Sequence, residues 1–179
     1  MHRNYLLQLL ANYHPSAPEE IEYKDDIIDF VQRNEECFER NLQHGHITAS
    51  AWLLNKEGDK ALLTYHKKLN KWIQLGGHCD GDSDILAIAI RESQEESGIK
   101  NIKPVHDQIF DVGVHFIPGN AEAEKHYHYD IRFLLQVQSD EKIKISNESN
   151  DLRWISKNRD ELPTDESSII RMLEKWIAR

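Results

Sequence analysis

The chain has 179 residues, 39% of them apolar, and carries 22 Lys and Arg against 31 Asp and Glu for a net charge of −9. That length buries one good core and fits one domain with an appendage. No basic cluster exceeds "HKKLNK" at His66 to Lys71, which argues against sequestering long nucleic acid through its phosphates, because such binding depends on releasing counterions to a basic surface. A small anionic substrate bridged to the acids by metal cations is compatible with the same charge.

The opening "MHRNYLLQLLANYHP" is too short and too interrupted for a signal h-region, and no later stretch is apolar enough to span a bilayer, so a cytoplasmic protein with no membrane partner is expected. The two cysteines, Cys37 and Cys79, form no CxxC pair, and a reducing compartment leaves them as free thiols. A first helix is predicted from about Arg3 to Asn12, stopping near Pro15. Ser16 to Glu19 read as a capping box for a second, amphipathic helix of six turns, with apolar positions from Ile21 through Ile27, Phe30, Val31, Cys37 and Phe38 to Leu42. Residues 1–45 are thus expected to form an N-terminal helical extension, which packs on its own domain or swaps to a second copy in a homodimer.

From Ile47 the period changes to that of strands. "HITASAWLLN", the turn "KEGDK" and "ALLTYHKK" read as a hairpin, and "KWIQLGG" as a third strand. A helix follows from about Asp84 to Ser97, with Asp82 or Ser83 at its N-cap and Gly98 at its C-cap. Next come "IKPVHDQIFDVGVHFIP", the loop "GNAEAEK", the strand "HYHYDIRFLLQVQ" and the strand "DLRWIS". The last helix runs from about Thr164 to Ala178. This order predicts a mixed α/β layered fold over residues 46–179. Trp52, Trp72, Trp154 and Trp176 are expected in the core, with Trp72 near enough to the glycine loop to stack on a base.

The stretch "QLGGHCDGDSDILAIAIRESQEESGI" carries the chemistry. Ile85, Leu86, Ile88 and Ala89 give its helix an apolar side, while Glu92, Glu95 and Glu96 crowd one face near the C-terminal end. Like charges there repel one another and the negative end of the helix dipole. A divalent cation reverses that balance, and hard oxygen ligands suit Mg2+ or Mn2+ shared with a phosphate. The alternative is a solvated face in an acidic protein.

These residues resemble the Nudix box. Gly77, Arg91, Glu92, Glu95, Glu96, Gly98 and Ile99 fall at its separations, whereas Ser83 stands where the first Glu is expected and Ser93 where an apolar residue is expected. With the flanking "KWIQLGG" and "DLRWIS", the resemblance extends over Ile47 to Arg179. It implies an α/β/α sandwich with a mixed β-sheet, and a metal-dependent hydrolase cleaving a diphosphate linkage in a small nucleoside diphosphate derivative. It also implies Mg2+ or Mn2+ at Glu92, Glu95, Glu96 and Gly77, with Arg91 orienting a glutamate or holding phosphate. Gly76 and Gly77 would admit the loop to metal and phosphate, beside His78, and Glu148 would be the general base. Two alternatives accompany this reading: an enzyme similar to isopentenyl-diphosphate isomerase, and an inactive nucleotide-binding module.

In "HYHYDIRFLL" the alternation places His126, His128, Asp130 and Arg132 on one face, opposite Tyr127, Tyr129, Ile131 and Phe133. With His78 or His115 nearby, the polar face reads as a substrate pocket or an additional metal site, against a strand face that is simply wet.

Overall fold

The computed structural model describes residues 2–119, 124–140, 142–147 and 149–179. Helix α1 spans Asn4–Asn12 and α2 spans Pro18–Arg33. The capping arrangement of α2 is displaced by one residue from the expected one. Ala17 occupies the N-cap and Pro18 the first turn, and the Glu20 carboxylate accepts from the Ser16 and Ala17 amides at 2.8 and 2.9 Å. The helix stops at Arg33 instead of running on to Leu42, because Asn34 is extended and its side-chain amide donates to the Phe30 carbonyl at 2.8 Å. Cys37 and Phe38 are buried from a loop, so their apolar spacing reported burial and not helix.

Among the described residues, seven strands make one sheet: β1 (Gly45–Leu54), β2 (Lys60–His66), β3 (Lys71–Ile73), β4 (Leu75–His78), β5 (Ile102–Ile117), β6 (His126–Val137) and β7 (Ser149–Ser156). "KWIQLGG" is two strands divided at Gln74, not one. β1 runs parallel to β6 from Gly45↔Tyr127 to Leu54↔Gln136, and β5 pairs antiparallel with β6. On its other edge β1 pairs with β4 over Thr48 to Ala51, but with β2 only at Leu53↔Leu62 and Leu54↔Ala61. Beyond that point β2 turns to β3 and β7, so the sheet forks. The expected hairpin is paired only next to its turn.

Every residue of β1 is buried, and alternation divides them between two cores. Ile47, Ala49, Ala51 and Leu53 join the larger core with Leu6, Leu10, Ile27, Phe30 and Val31 of α1 and α2, and with Ile85, Ile88 and Ala89 of α3 (Ile85–Ser97). Each fully buried aliphatic side chain contributes on the order of 1.5–3 kcal/mol. The N-terminal helices therefore share the core of the sheet. On the opposite face, Trp52 and Leu54 pack against Ile169, Met172, Leu173 and Trp176, the last three and Ile169 all belonging to α4 (Ser167–Ile177). Trp52 and Trp176 are core as expected, while Trp72 and Trp154 are only partly buried. Among the described residues, no helix is long and apolar enough to cross a membrane. Cys37 and Cys79 are free and buried.

Candidate functional site

Asp84 caps α3, its carboxylate accepting from the Ala87 amide at 3.1 Å, and Asp82 accepts from the Asp84 amide at 3.0 Å. The loop acids beside Ser83 are thus engaged in shaping the helix start, with Asp84 in the capping place expected for Asp82 or Ser83. Gly98 ends the helix at φ 72°, a left-handed conformation that glycine adopts without steric cost. Ser93, at the expected apolar position, is buried and donates to the Ala89 carbonyl at 2.7 Å, so its hydroxyl is satisfied within the helix.

The glycine pair explains how the helix meets the sheet. A Cβ on Gly76 would strike Ser50 and the Ala49 carbonyl of β1, and one on Gly77 would strike the Glu92 carboxylate. Close approach of β4 to β1 on one side and of Glu92 to β4 on the other demands two residues without side chains. The Glu96 carboxylate is only 4% exposed and accepts from the Gly76 amide at 3.3 Å. Arg91 donates to Glu92 at 3.2 Å and to the His78 carbonyl at 3.5 Å, clamping helix to loop. Glu95 is exposed one turn away. Trp72 packs its ring 5.3 Å from Tyr65, with the Arg153 guanidinium 4.7 Å above it. Glu148 lies outside the described residues.

The polar face of β6 is on the other side of the sheet from α3, and it is not a uniform face. At its C-terminal end, Asp130 (3% exposed) accepts from Thr48 and Ser50 at 2.9 and 2.7 Å, from Gln74 at 3.0 Å and from Arg132 at 2.7 Å. Arg132, fully buried, also donates to Asp111 at 2.6 Å and to His115. Asp111 is further bound by Arg171 and Lys175 of α4, and Lys175 reaches Glu20 of α2. Burial opposes ionisation of Asp111 and Asp130, yet the facing cations hold both carboxyls below the usual range. Asp130 and Arg132, expected to meet substrate, are instead enclosed and satisfied in this network. A buried charge must be paired, and Asp130 and Arg132 are withdrawn from solvent among these partners. His115, expected to approach this face, does so: it stands opposite His128 in register and bonds Arg132.

At the N-terminal end the imidazoles converge. His128 of β6 is joined by His46 of β1, directly opposite it in register, and by His78 of β4, opposite Thr48. Ring centroids lie 4.8 Å apart for His46 and His128, 5.0 Å for His46 and His78, and 5.1 Å for His78 and His128. The His126 Nε2 lies 3.1 Å from that of His128. Burial, followed by the neighbouring imidazoles, pushes His46 down to about 4 and His128 down to about 3, so both are neutral at physiological pH. His46 is 2% exposed, and neither of its ring nitrogens has a hydrogen-bond partner among the described residues. Such an orphaned group costs about 1–3 kcal/mol. Sequence reasoning passed over His46. Its signal was the polar alternation His46, Thr48, Ser50 at the start of β1, which matters only once β1 is placed beside β6.

A profile of the NUDIX domain matches residues 44–175, nearly three quarters of the chain. The chain belongs to the Nudix family. It is an enzyme of the pyrophosphohydrolase type that this family represents, and family members generally use divalent metals. Among solved structures, a Nudix family hydrolase from Clostridium perfringens is 26% identical, with 73% of this chain and 95% of that one covered at a TM-score of 0.55. The Ap4A hydrolase of C. elegans, in a binary complex, is 20% identical over 74% and 95% of the two chains at 0.59. The E. coli dihydroneopterin triphosphate pyrophosphohydrolase is 14% identical over 74% and 94% at 0.56. The last two share the fold. No curated protein sequence matches this Nudix protein significantly.

Proposed function

We propose that this Nudix hydrolase cleaves a diphosphate linkage in a small nucleoside diphosphate derivative, with Mg2+ or Mn2+ held by Glu92, Glu95, Glu96 and the Gly77 carbonyl. The observation that carries the reading is the packing of Glu92 and Glu96 against the side-chain-free backbone of Gly76 and Gly77. Carboxylates gathered at the negative end of a helix are unfavourable alone, and a cation relieves both repulsions. The donor set is hard oxygen throughout and fits either ion. When bound, the metal neutralises phosphate charge and acidifies a water.

The chain's own residues hold the parts in place. Arg91 fixes Glu92 through its guanidinium, and the Gly76 amide orients Glu96, so the two carboxylates are presented to the same stretch of loop. Glu148 takes the proton of the attacking water, and Trp72 offers an aromatic face to a base from the fork of the sheet. The comparisons lend no support to the isomerase or to the inactive module.

A panel of nucleotide sugars, dinucleoside polyphosphates and dinucleotides, assayed with each ion and read by product identification, tests this. Turnover of at least one class, lost in Glu96→Gln, is expected. Binding without turnover across the panel, or full activity in Glu96→Gln, would overturn it.

A further inference from the structure

We propose that His46, His78 and His128 form a binding site for one late first-row divalent transition metal, zinc foremost, separate from the carboxylates of α3. Among the described residues, these are the one group of three or more His, Cys, Asp or Glu whose ligand atoms gather within 4.8 Å of one another. A tetrahedral zinc bound at roughly 2.1 Å sets nitrogen separations of about 3.4 Å, which modest rotation of three rings achieves.

The second observation is His46. A ring that is 98% withdrawn from solvent (2% exposed), with both nitrogens lacking hydrogen-bond partners among the described residues and stacked among other imidazoles, is poorly explained as core filler. Buried polar groups are ordinarily satisfied. A metal satisfies one nitrogen from each of three rings at once. The donors are all imidazole, which suits zinc and its late first-row neighbours, whereas Mg2+ and Mn2+ prefer oxygen. His126, with Nε2 3.1 Å from that of His128, is a fourth imidazole beside the set.

Each ligand comes from a different strand. β1, β4 and β6 are joined at this point, and β4 is the strand whose glycines receive Glu92 and Glu96. Metal on the imidazole face therefore pins the glycine loop from behind and takes no ligand from the carboxylates on the other face. The ion is a clip for the loop, and its presence does not depend on which substrate, if any, the carboxylates serve.

The test uses the full-length protein, stripped with chelator, given Zn2+ or Co2+ and passed through gel filtration. The wild type should retain about one metal per chain and gain thermal stability that grows with free metal. The Glu92→Gln, Glu96→Gln double variant should retain it too. His46→Gln and His128→Asn, taken separately, should weaken retention by at least about tenfold. X-ray absorption on the wild-type cobalt or zinc form should show three imidazoles in the first shell, a readout that needs no variant to fold. An all-oxygen shell, no retained metal, loss in the glutamate variant alone, or unchanged binding in both histidine variants would each overturn the site.

Discussion

Two ends of one strand face make an instructive pair. Asp130 and Arg132 lie at one end of the polar face of β6, His126 and His128 at the other, alternating along the same backbone and equally visible as polar residues in sequence. The first end is closed. Asp111, Asp130 and Glu20 meet Arg132, Arg171 and Lys175, tying β5, β6, α2 and α4 into one network in which the charges face opposite partners. The second end leaves ring nitrogens of His46 without partners among the described residues. The satisfied cluster ties helices to sheet, and the unsatisfied one is where the metal site is proposed. Polarity in a strand pattern did not separate them, but hydrogen-bond accounting does.

The largest expected effect breaks the closed end. Asp111→Ala removes the buried carboxylate that Arg132, Arg171 and Lys175 share and should cost about 3–5 kcal/mol, while His126→Ala at the open end should cost no more than about 1 kcal/mol. Urea unfolding of the metal-free proteins measures both. Equal costs would erase the distinction between the ends.

The next effect separates stability from activity. Glu96→Gln keeps an acceptor for the Gly76 amide but removes the charge, so turnover should fall at least about a hundredfold, ~2.7 kcal/mol of barrier. Its unfolding midpoint should match or slightly exceed that of the wild type, because repulsion at the helix end is relieved. Steady-state kinetics with Mg2+ or Mn2+ beside the same urea series reads the split.

Acid sharpens the comparison further. The Asp111 carboxyl is held below its ordinary value in the fold. Its ionisation therefore contributes stability that is fully present above an unfolded pKa of about 3.9. That stability is lost as pH falls below this value toward the folded pKa. Wild-type stability should drop in that window more steeply than that of Asp111→Asn, which has no carboxyl to protonate. Parallel curves for the two proteins would locate acid sensitivity elsewhere.

The smallest effect concerns Ser83. Asp82 and Asp84 already organise the loop and cap α3, so Ser83→Glu should change kcat/KM by no more than about tenfold, ~1.4 kcal/mol. A much larger gain would make the glutamate face, and not the glycine contact behind it, the limiting part of the site.

Local patterns were enough for α3. The periodicity of Ile85, Ile88 and Ala89, the acid at the start and Gly98 at the end give nearly the observed bounds, because each signal acts within a turn or two of helix. They were enough, too, for the alternation of β6. They failed at α2, where Cys37, Phe38 and Leu42 kept a helical spacing past the cap at Asn34. They did not show that a Cβ at Gly76 would meet Ser50 and one at Gly77 would meet Glu92, residues distant in the chain.

The sequence by itself determined the box, its acids and the two-sided character of β6. Only the tertiary structure decided that Asp130 bonds Thr48, 82 residues away, that Arg132 is buried between Asp111 and Asp130, and that His46 stands against His78 and His128. The physical reason is register. Parallel pairing of β1 with β6 is a non-local choice, and until it is made no residue of one strand has a neighbour on the other. Once it is made, polar groups of similar appearance in sequence divide into those that find partners and those that wait for one.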